Sequence, residues 1–221
     1  MAERGRPRKF DRAAALRRAM EVFWERGYEG TSLSDLTTAM GINPPSLYAA
    51  FGCKEALFRE AVALYEATEG SATESALRDA PTAREAVAAM LRDNVNAYAC
   101  PGKPPGCMIV LAATLGAPEN KGVCNYLAEC RRKVQDALQR RLERGVIEGD
   151  VPAGTDTAAL AAFYTTVLQG LSIQARDGAP RARLQAIVDC AMAAWDQLTR
   201  PPNRRAGSRS TTAPKRKARV P

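Results

Sequence analysis

Apolar side chains recur along this chain at spacings of three and four, and nowhere alternate over a useful length, which predicts an all-α protein. Between Arg12 and Arg26, Leu16, Met20, Phe23 and Trp24 fall on one helical face. A short stretch follows with Leu33, Leu36 and Met40 on a shared face, and then another with Leu47 and Phe51. Two helices this short cannot bury their own apolar faces, so the Arg12 to Arg26 segment is expected to support them as a three-helix head. Longer stripes make up the rest. Val87, Met90, Leu91, Val95 and Tyr98 follow a capping box, Thr82-x-x-Glu85, placed directly after Pro81. Leu127, Cys130, Val134, Leu138 and Leu142 form a second stripe before Gly145, and Leu184, Ile187, Val188, Ala191, Met192, Trp195 and Leu198 a third.

Local signals place the ends of the two short helices. Ser32 or Ser34 suits the N-cap of the first, with Asp35 in its first turn, and Gly41 suits a left-handed stop. Asn43 then caps the second, Pro44 and Pro45 fall in its first turn, and Gly52 ends it. Thr37 sits where the two helices cross, and its hydroxyl is expected to bond back to the carbonyl four residues earlier. The outer surface of the second helix carries Asn43, Ser46 and Tyr48, hydrogen-bonding groups suited to base edges and phosphates.

The order Leu36, Gly41, Ile42, Asn43, Ser46, Leu47, Tyr48, Phe51, Lys54, Glu55, Leu57 resembles the helix-turn-helix head of TetR-type (TetR/AcrR) one-component transcriptional regulators, over residues 10 to 60. The resemblance implies a DNA-reading head at 10–53 and a helical effector-binding and dimerisation body at 54–199. It implies a cytoplasmic homodimeric repressor, released from a pseudo-palindromic double-stranded DNA operator by a small-molecule effector. Two departures stand out. Thr37 replaces a usual Ala, and the pair Ala49 and Ala50 replaces frequent bulky groups, so readout should lean on Asn43, Ser46 and a methyl contact from Ala49. The expected DNA-binding set is Arg6, Arg8, Thr31, Ser32, Ser34, Asn43, Pro44, Pro45, Ser46, Tyr48, Ala49 and Lys54, the last as a phosphate partner.

Charge sharpens this picture. Residues 200–221 hold eight Lys or Arg and no acid, equal to the chain's whole net charge of +8. Residues 1–18 hold seven basic and two acidic groups, which leaves 19–199 with 17 basic and 22 acidic ones. Attraction to phosphate is therefore localised at the ends. The arm at 1–9, Arg4-Gly5-Arg6-Pro7-Arg8-Lys9, resembles an AT-hook, in which Pro7 holds the backbone extended and Arg6 and Arg8 enter a narrow A·T minor groove. The tail at 200–221, rich in Pro, Ser, Thr, Arg and Lys, is expected to be disordered and to add salt-sensitive DNA affinity.

Between Asp156 and Arg176 no charge occurs, but Thr157, Thr165, Thr166, Gln169, Ser172 and Gln174 interrupt the run and argue against a membrane span. A helix buried on both sides fits better. In the resembled family the last two helices of each subunit form a dimeric four-helix bundle, to which Ala158 to Ala175 and Arg181 to Leu198 correspond. The chain opens on charged residues, without the apolar run of a signal sequence, so cytoplasmic residence is expected and the six cysteines are expected to be reduced.

No C-x-x-C pair and no histidine occur, which disfavours a metal site, a Cys–His hydrolase, and an enzyme generally. No cofactor is expected. Cys53, beside Lys54 at a helix start, and Cys107, at a loop-to-helix boundary, are candidates for a redox sensor on the same fold. The charge of the arm and tail would also suit an architectural A·T-rich DNA-binding protein, and the helical body would also suit an enzyme with a borrowed head. For the effector, the large side chains on body helices are Tyr65, Met90, Tyr98, Met108, Tyr126, Phe163 and Tyr164, and the scarcity of charge on their stripes favours an apolar or aromatic ligand over a strongly ionic one.

Overall fold

The computed structural model describes residues 10–200, and these are helical with no strand among them. The order is α1 (Arg12–Arg26), α2 (Leu33–Met40), α3 (Pro44–Phe51), α4 (Lys54–Thr68), α5 (Ser71–Asp79), α6 (Ala83–Tyr98), α7 (Met108–Leu111), a 3-10 turn (Pro118–Asn120), α8 (Lys121–Glu148), α9 (Thr157–Arg176), α10 (Arg181–Ala193) and α11 (Trp195–Leu198). The basic arm at 1–9, with Arg6 and Arg8, and the tail from residue 201 onward lie outside the described residues.

Side-chain caps set the head's short helices. Ser32, not Ser34, is the N-cap of α2: its hydroxyl accepts from the Asp35 amide while the Asp35 carboxylate accepts from the Ser32 amide. Two of the orphan donors at that end are thereby satisfied. The helix stops at Gly41, whose φ of 67° is left-handed and free of steric cost only for glycine. Asn43 caps α3 by accepting from the Ser46 amide at 2.9 Å, and Pro44 and Pro45 occupy first-turn positions that need no N–H donor. Thr37 donates to the Leu33 carbonyl, four residues back, at 3.0 Å. Met20, Phe23, Leu36, Leu47 and Phe51 bury together between α1, α2 and α3.

The head's core does not stop at α3. Leu57, Phe58, Ala61, Val62 and Tyr65 of α4, Met108 and Ile109 of α7, and Val123, Leu127 and Cys130 of α8 join the same buried cluster. Phe23, Tyr28 and Phe58 meet as an aromatic triad, with Phe58 edge-on to both partners at 5.0 Å between centroids. A second cluster packs α6, α8, α9 and α10 around Met90, Leu91, Leu138, Leu142, Tyr164 and Leu184. The two are joined by the segment Gly106 to Ala113, which touches α1 on one side and α9 on the other.

Two expected boundaries move. Gly145 does not end the long stripe; it lies inside α8, which runs on to Glu148 and stops at Gly149. A Cβ at Gly145 would stand 2.3 Å from Asp150 Oδ1 and 2.9 Å from the Ala83 methyl, so glycine is there to let the returning chain approach. The last stripe is divided at Ala194 into α10 and α11.

Candidate DNA interface and effector cavity

The outer surface of α3 and the turn before it are exposed: Asn43, Pro44, Pro45, Ser46, Tyr48 and Ala49 all face solvent, and Tyr48 keeps 47% of its surface. Leu47 and Phe51, on the opposite side, are buried. Capping consumes one function of Asn43, whose Oδ1 is held by the Ser46 amide, and leaves its amide NH2 to donate outward. Ser32 and Ser34 are also exposed at the start of α2.

Two residues of the expected set are placed otherwise. Thr31 is only 1% exposed, and its hydroxyl donates to the Gly27 carbonyl at 2.6 Å, so it pins the α1–α2 turn and has no surface to offer a phosphate. Lys54 folds inward: its ammonium lies 4.2 Å from the centroid of the Tyr28 ring, a cation–π contact at the head's edge. Burial lowers its pKa, and the charge of Glu29 opposes that shift. Nothing in its sequence context singles out Arg12. It donates to the Ala50 carbonyl, pairs with Glu60 at 2.7 Å and covers the Phe51 ring, tying α1 to the end of α3 and to α4.

Inside the body, a cavity of about 750 Å³ opens between α4, α5, α6, α7, α8 and α9. Tyr65 and Tyr98 line it, and Cys107 stands with them. Burial pushes the Cys107 thiol up from its ordinary pKa, and the two neighbouring phenols oppose that only in part. The thiol is thus held protonated at neutral pH, which works against thiolate chemistry there. Cys53 is exposed and caps α4, its sulfur accepting from the Ala56 amide at 3.4 Å.

The remaining large side chains do not reach this cavity wall. Met90 and Met108 are fully buried in separate clusters. Tyr126 lies beneath the Arg59 guanidinium at 4.5 Å, and Tyr164 packs on Trp195 while donating to the Ala191 carbonyl. Phe163 faces outward from α9 at 39% exposure. The cavity wall also carries more charge than the stripes suggested, because arginines from the flanks of α8 and the end of α5 turn into it. The spacing of Val134, Ala137, Arg141 and Arg144 could have signalled this face, being i, i+3, i+7 and i+10 on one helix.

Residues 15–61 match the family described as bacterial regulatory proteins, tetR family, and residues 81–189 match the tetracyclin repressor-like C-terminal domain. The chain belongs to the TetR family. It is 34% identical to the HTH-type transcriptional repressor ComR of Escherichia coli (strain K12) over 198 residues, 89% of this chain and 94% of that protein. The HTH-type transcriptional repressor BdcR, also of Escherichia coli (strain K12), is 30% identical over 79% of this chain and 83% of its own length. Among solved structures, a cysteine-substituted form of the TetR family regulator CifR complexed with 26-bp double-strand operator DNA is 52% identical, with a TM-score of 0.83, covering 86% of this chain and all of that one. Membership makes α2 and α3 the helix-turn-helix pair of a TetR-family regulator. Among the described residues, no helix is long and apolar enough to cross a membrane, and no group of candidate ligands could hold a metal ion.

Proposed function

We propose that this protein is a homodimeric, effector-responsive transcriptional repressor that binds a pseudo-palindromic DNA operator. The observation that carries the reading is the division of α3 into a buried apolar side, Leu47 and Phe51, and an exposed side of small or hydrogen-bonding residues at its N-terminal end. That side fits the major groove, with Asn43, Ser46 and Ala49 toward base edges and Tyr48, Ser32 and Ser34 toward backbone phosphates. Relatives described as repressors, and one complexed with operator DNA, support the same role. Arg6 and Arg8 would extend contact into an adjacent A·T minor groove. The head is taken as 10–53 and the body as 54–199, with α4 shared between them.

Dimerisation would use the outward faces of α9 and α10 with α11, where Phe163, Ile173 and Leu198 are exposed apolar groups. Two heads at a fixed separation, near one helical turn of about 34 Å, read two half-sites together. A small molecule in the body cavity would favour a head separation that no longer fits the operator, and so release it. Two routes lead from the cavity to the head. One is α4, through Tyr65; the other is the Gly106 to Ala113 segment, whose Gly106 carbonyl accepts from Trp24 of α1.

Selection of bound duplexes from a randomised pool at about 150 mM salt tests the proposal, since nonspecific attraction is screened there. An inverted repeat is the expected result. Recovery of only A·T-rich or unselected duplexes would overturn it in favour of an architectural role.

A further inference from the structure

The cavity is not chemically uniform along its length. One face of α8 supplies Val134 and Ala137 and then, over the next two turns, Arg141 and Arg144. Arg78, from the end of α5, and Arg140 line the same end, while Tyr65 and Tyr98 lie at the other. In all, six cations line the cavity against two carboxylates, Glu66 and Glu74; Arg131 and Lys133 precede Val134 on α8, toward the tyrosines, and Arg131 donates to the Ile109 carbonyl at 2.8 Å.

Several of these cations already have partners. Asp79 holds Arg78 at 2.8 Å with Glu74 at 3.8 Å, Glu129 holds Lys133 at 3.2 Å, and Glu148 holds Arg144 at 3.3 Å. Arg140 forms no ion pair among the described residues. Arg141 is the exceptional one. It is 3% exposed, yet its nearest carboxylates, on Asp150 and Glu148, stand 3.7 and 3.9 Å away, too far for hydrogen bonds. Its Nε and Nη1 have no hydrogen-bond partner, Nη2 reaches only the Ala80 carbonyl at 3.4 Å, and the buried Oδ1 of Asp150 beside it is likewise unbonded. A buried guanidinium with two unused nitrogens is costly unless something completes it.

Resting on the effector reading of this cavity, we propose that its ligand is an amphiphilic organic anion, with the carboxylate or sulfonate held at the Arg140, Arg141 and Arg144 end. Its apolar part extends along Val134, Ala137 and Leu168 toward the tyrosines. A planar or tetrahedral anion offers two or more acceptor oxygens to the fork of Arg141, which turns to meet them. The cavity volume suits a ligand of drug-like size.

The test uses a matched pair of fluorescent probes: 1-anilinonaphthalene-8-sulfonate and its uncharged parent, N-phenyl-1-naphthylamine. Both are titrated against the full-length protein and the variants Arg140→Gln and Arg141→Gln. Saturable binding of the sulfonate at one site per subunit is expected, weakened about tenfold or more in each variant, while the uncharged probe changes less than about twofold. Retained binding of the uncharged probe shows that the cavity survives the substitution. If Arg141→Gln does not fold, Arg140→Gln, at an exposed position, decides the matter. Equal weakening of both probes, or unchanged sulfonate binding, would overturn the anion site. The effector reading is tested separately, by whether the saturating sulfonate releases selected operator DNA: charge-selective binding without release leaves the anion site standing and removes the sulfonate as an effector.

Discussion

The indole N–H of Trp24 donates to the Gly106 carbonyl at 3.0 Å across a buried contact, so a residue of the DNA-facing head is bonded directly to a segment that lines the body cavity. Gly106 has a φ of 78°, and a Cβ there would stand 2.6 Å from the Ser172 carbonyl. One residue further on, the Cys107 amide donates to Ser172 Oγ at 2.8 Å, and a turn later the Ala112 carbonyl accepts from the Tyr28 amide at 2.7 Å. The segment is thus fastened to α1 at Trp24, to the turn after α1 at Tyr28, and to α9 between them.

Trp24→Phe keeps an aromatic ring beside Tyr65 but leaves the Gly106 carbonyl without its donor. A loss of about 2–4 kcal/mol is expected from the unpaired carbonyl and the smaller ring. It should appear as a melting temperature lowered by about 2–4 °C per kcal/mol. An unchanged melting temperature would show that this bond does not hold the head to the body.

Leu47 and Tyr48 are neighbours on α3 with opposite exposures, 0% and 47%. Leu47→Ala should cost about 2–5 kcal/mol of stability and so impair everything the head does. Tyr48→Ala should move stability by less than about 0.5 kcal/mol while weakening operator binding. Parallel denaturant titrations and operator-binding curves check the split; equal effects of the two on stability would contradict the assignment of faces.

Ile173 presents 47% of its surface from α9. In a monomer, Ile173→Asp would be a mild surface change. In the proposed dimer it buries an unpaired carboxylate in an apolar interface, at a cost of several kcal/mol. Sedimentation velocity should show dissociation into monomers at concentrations where the parent chain is dimeric. A dimer of undiminished strength would place the interface elsewhere.

Stability should decline in alkali. Burial first, and then the Glu66 charge, push the Cys130 thiol from 9.0 up to about 11; Lys133 and a hydrogen bond with Tyr126 oppose this. Below pH 9 the thiol is protonated in folded and unfolded chains alike. From there to about pH 11 only the unfolded chain ionises, so stability falls with rising pH across that window. The Tyr126 phenol, pushed up to about 12 chiefly by burial, continues the trend. Melting temperatures measured from pH 8 to 11 should fall less steeply for Cys130→Ala than for the parent chain.

Much of the head is legible in the sequence because its signals are local. A cap, a glycine stop and a two-proline first turn each act on groups within about four residues, and Ser32, Gly41, Asn43 and Pro44 perform those roles in the structure. Thr31 and Lys54 mislead for the complementary reason. A threonine near a helix start and a lysine just past a recognition helix look available until the turn after α1 supplies the Gly27 carbonyl and the Tyr28 ring. Gly145 misleads similarly, since a glycine that ends a helix and one that admits Asp150 and Ala83 have the same local neighbours.

The sequence by itself determined the all-α class, most of the head's helix ends and the family, because periodicity, capping and motif order depend on residues a few positions apart; the choice of Ser32 over Ser34 was left to the structure. Only the tertiary structure decided which large side chains surround the cavity. Tyr65 and Tyr98 were brought together from α4 and α6, while Met90, Met108, Tyr126, Phe163 and Tyr164 went into cores or to the surface. Arg141 shows why. A helical period tells which residues share a face, but what that face meets is set by the fold, as where Arg141 reaches the Ala80 carbonyl 61 residues away in the chain.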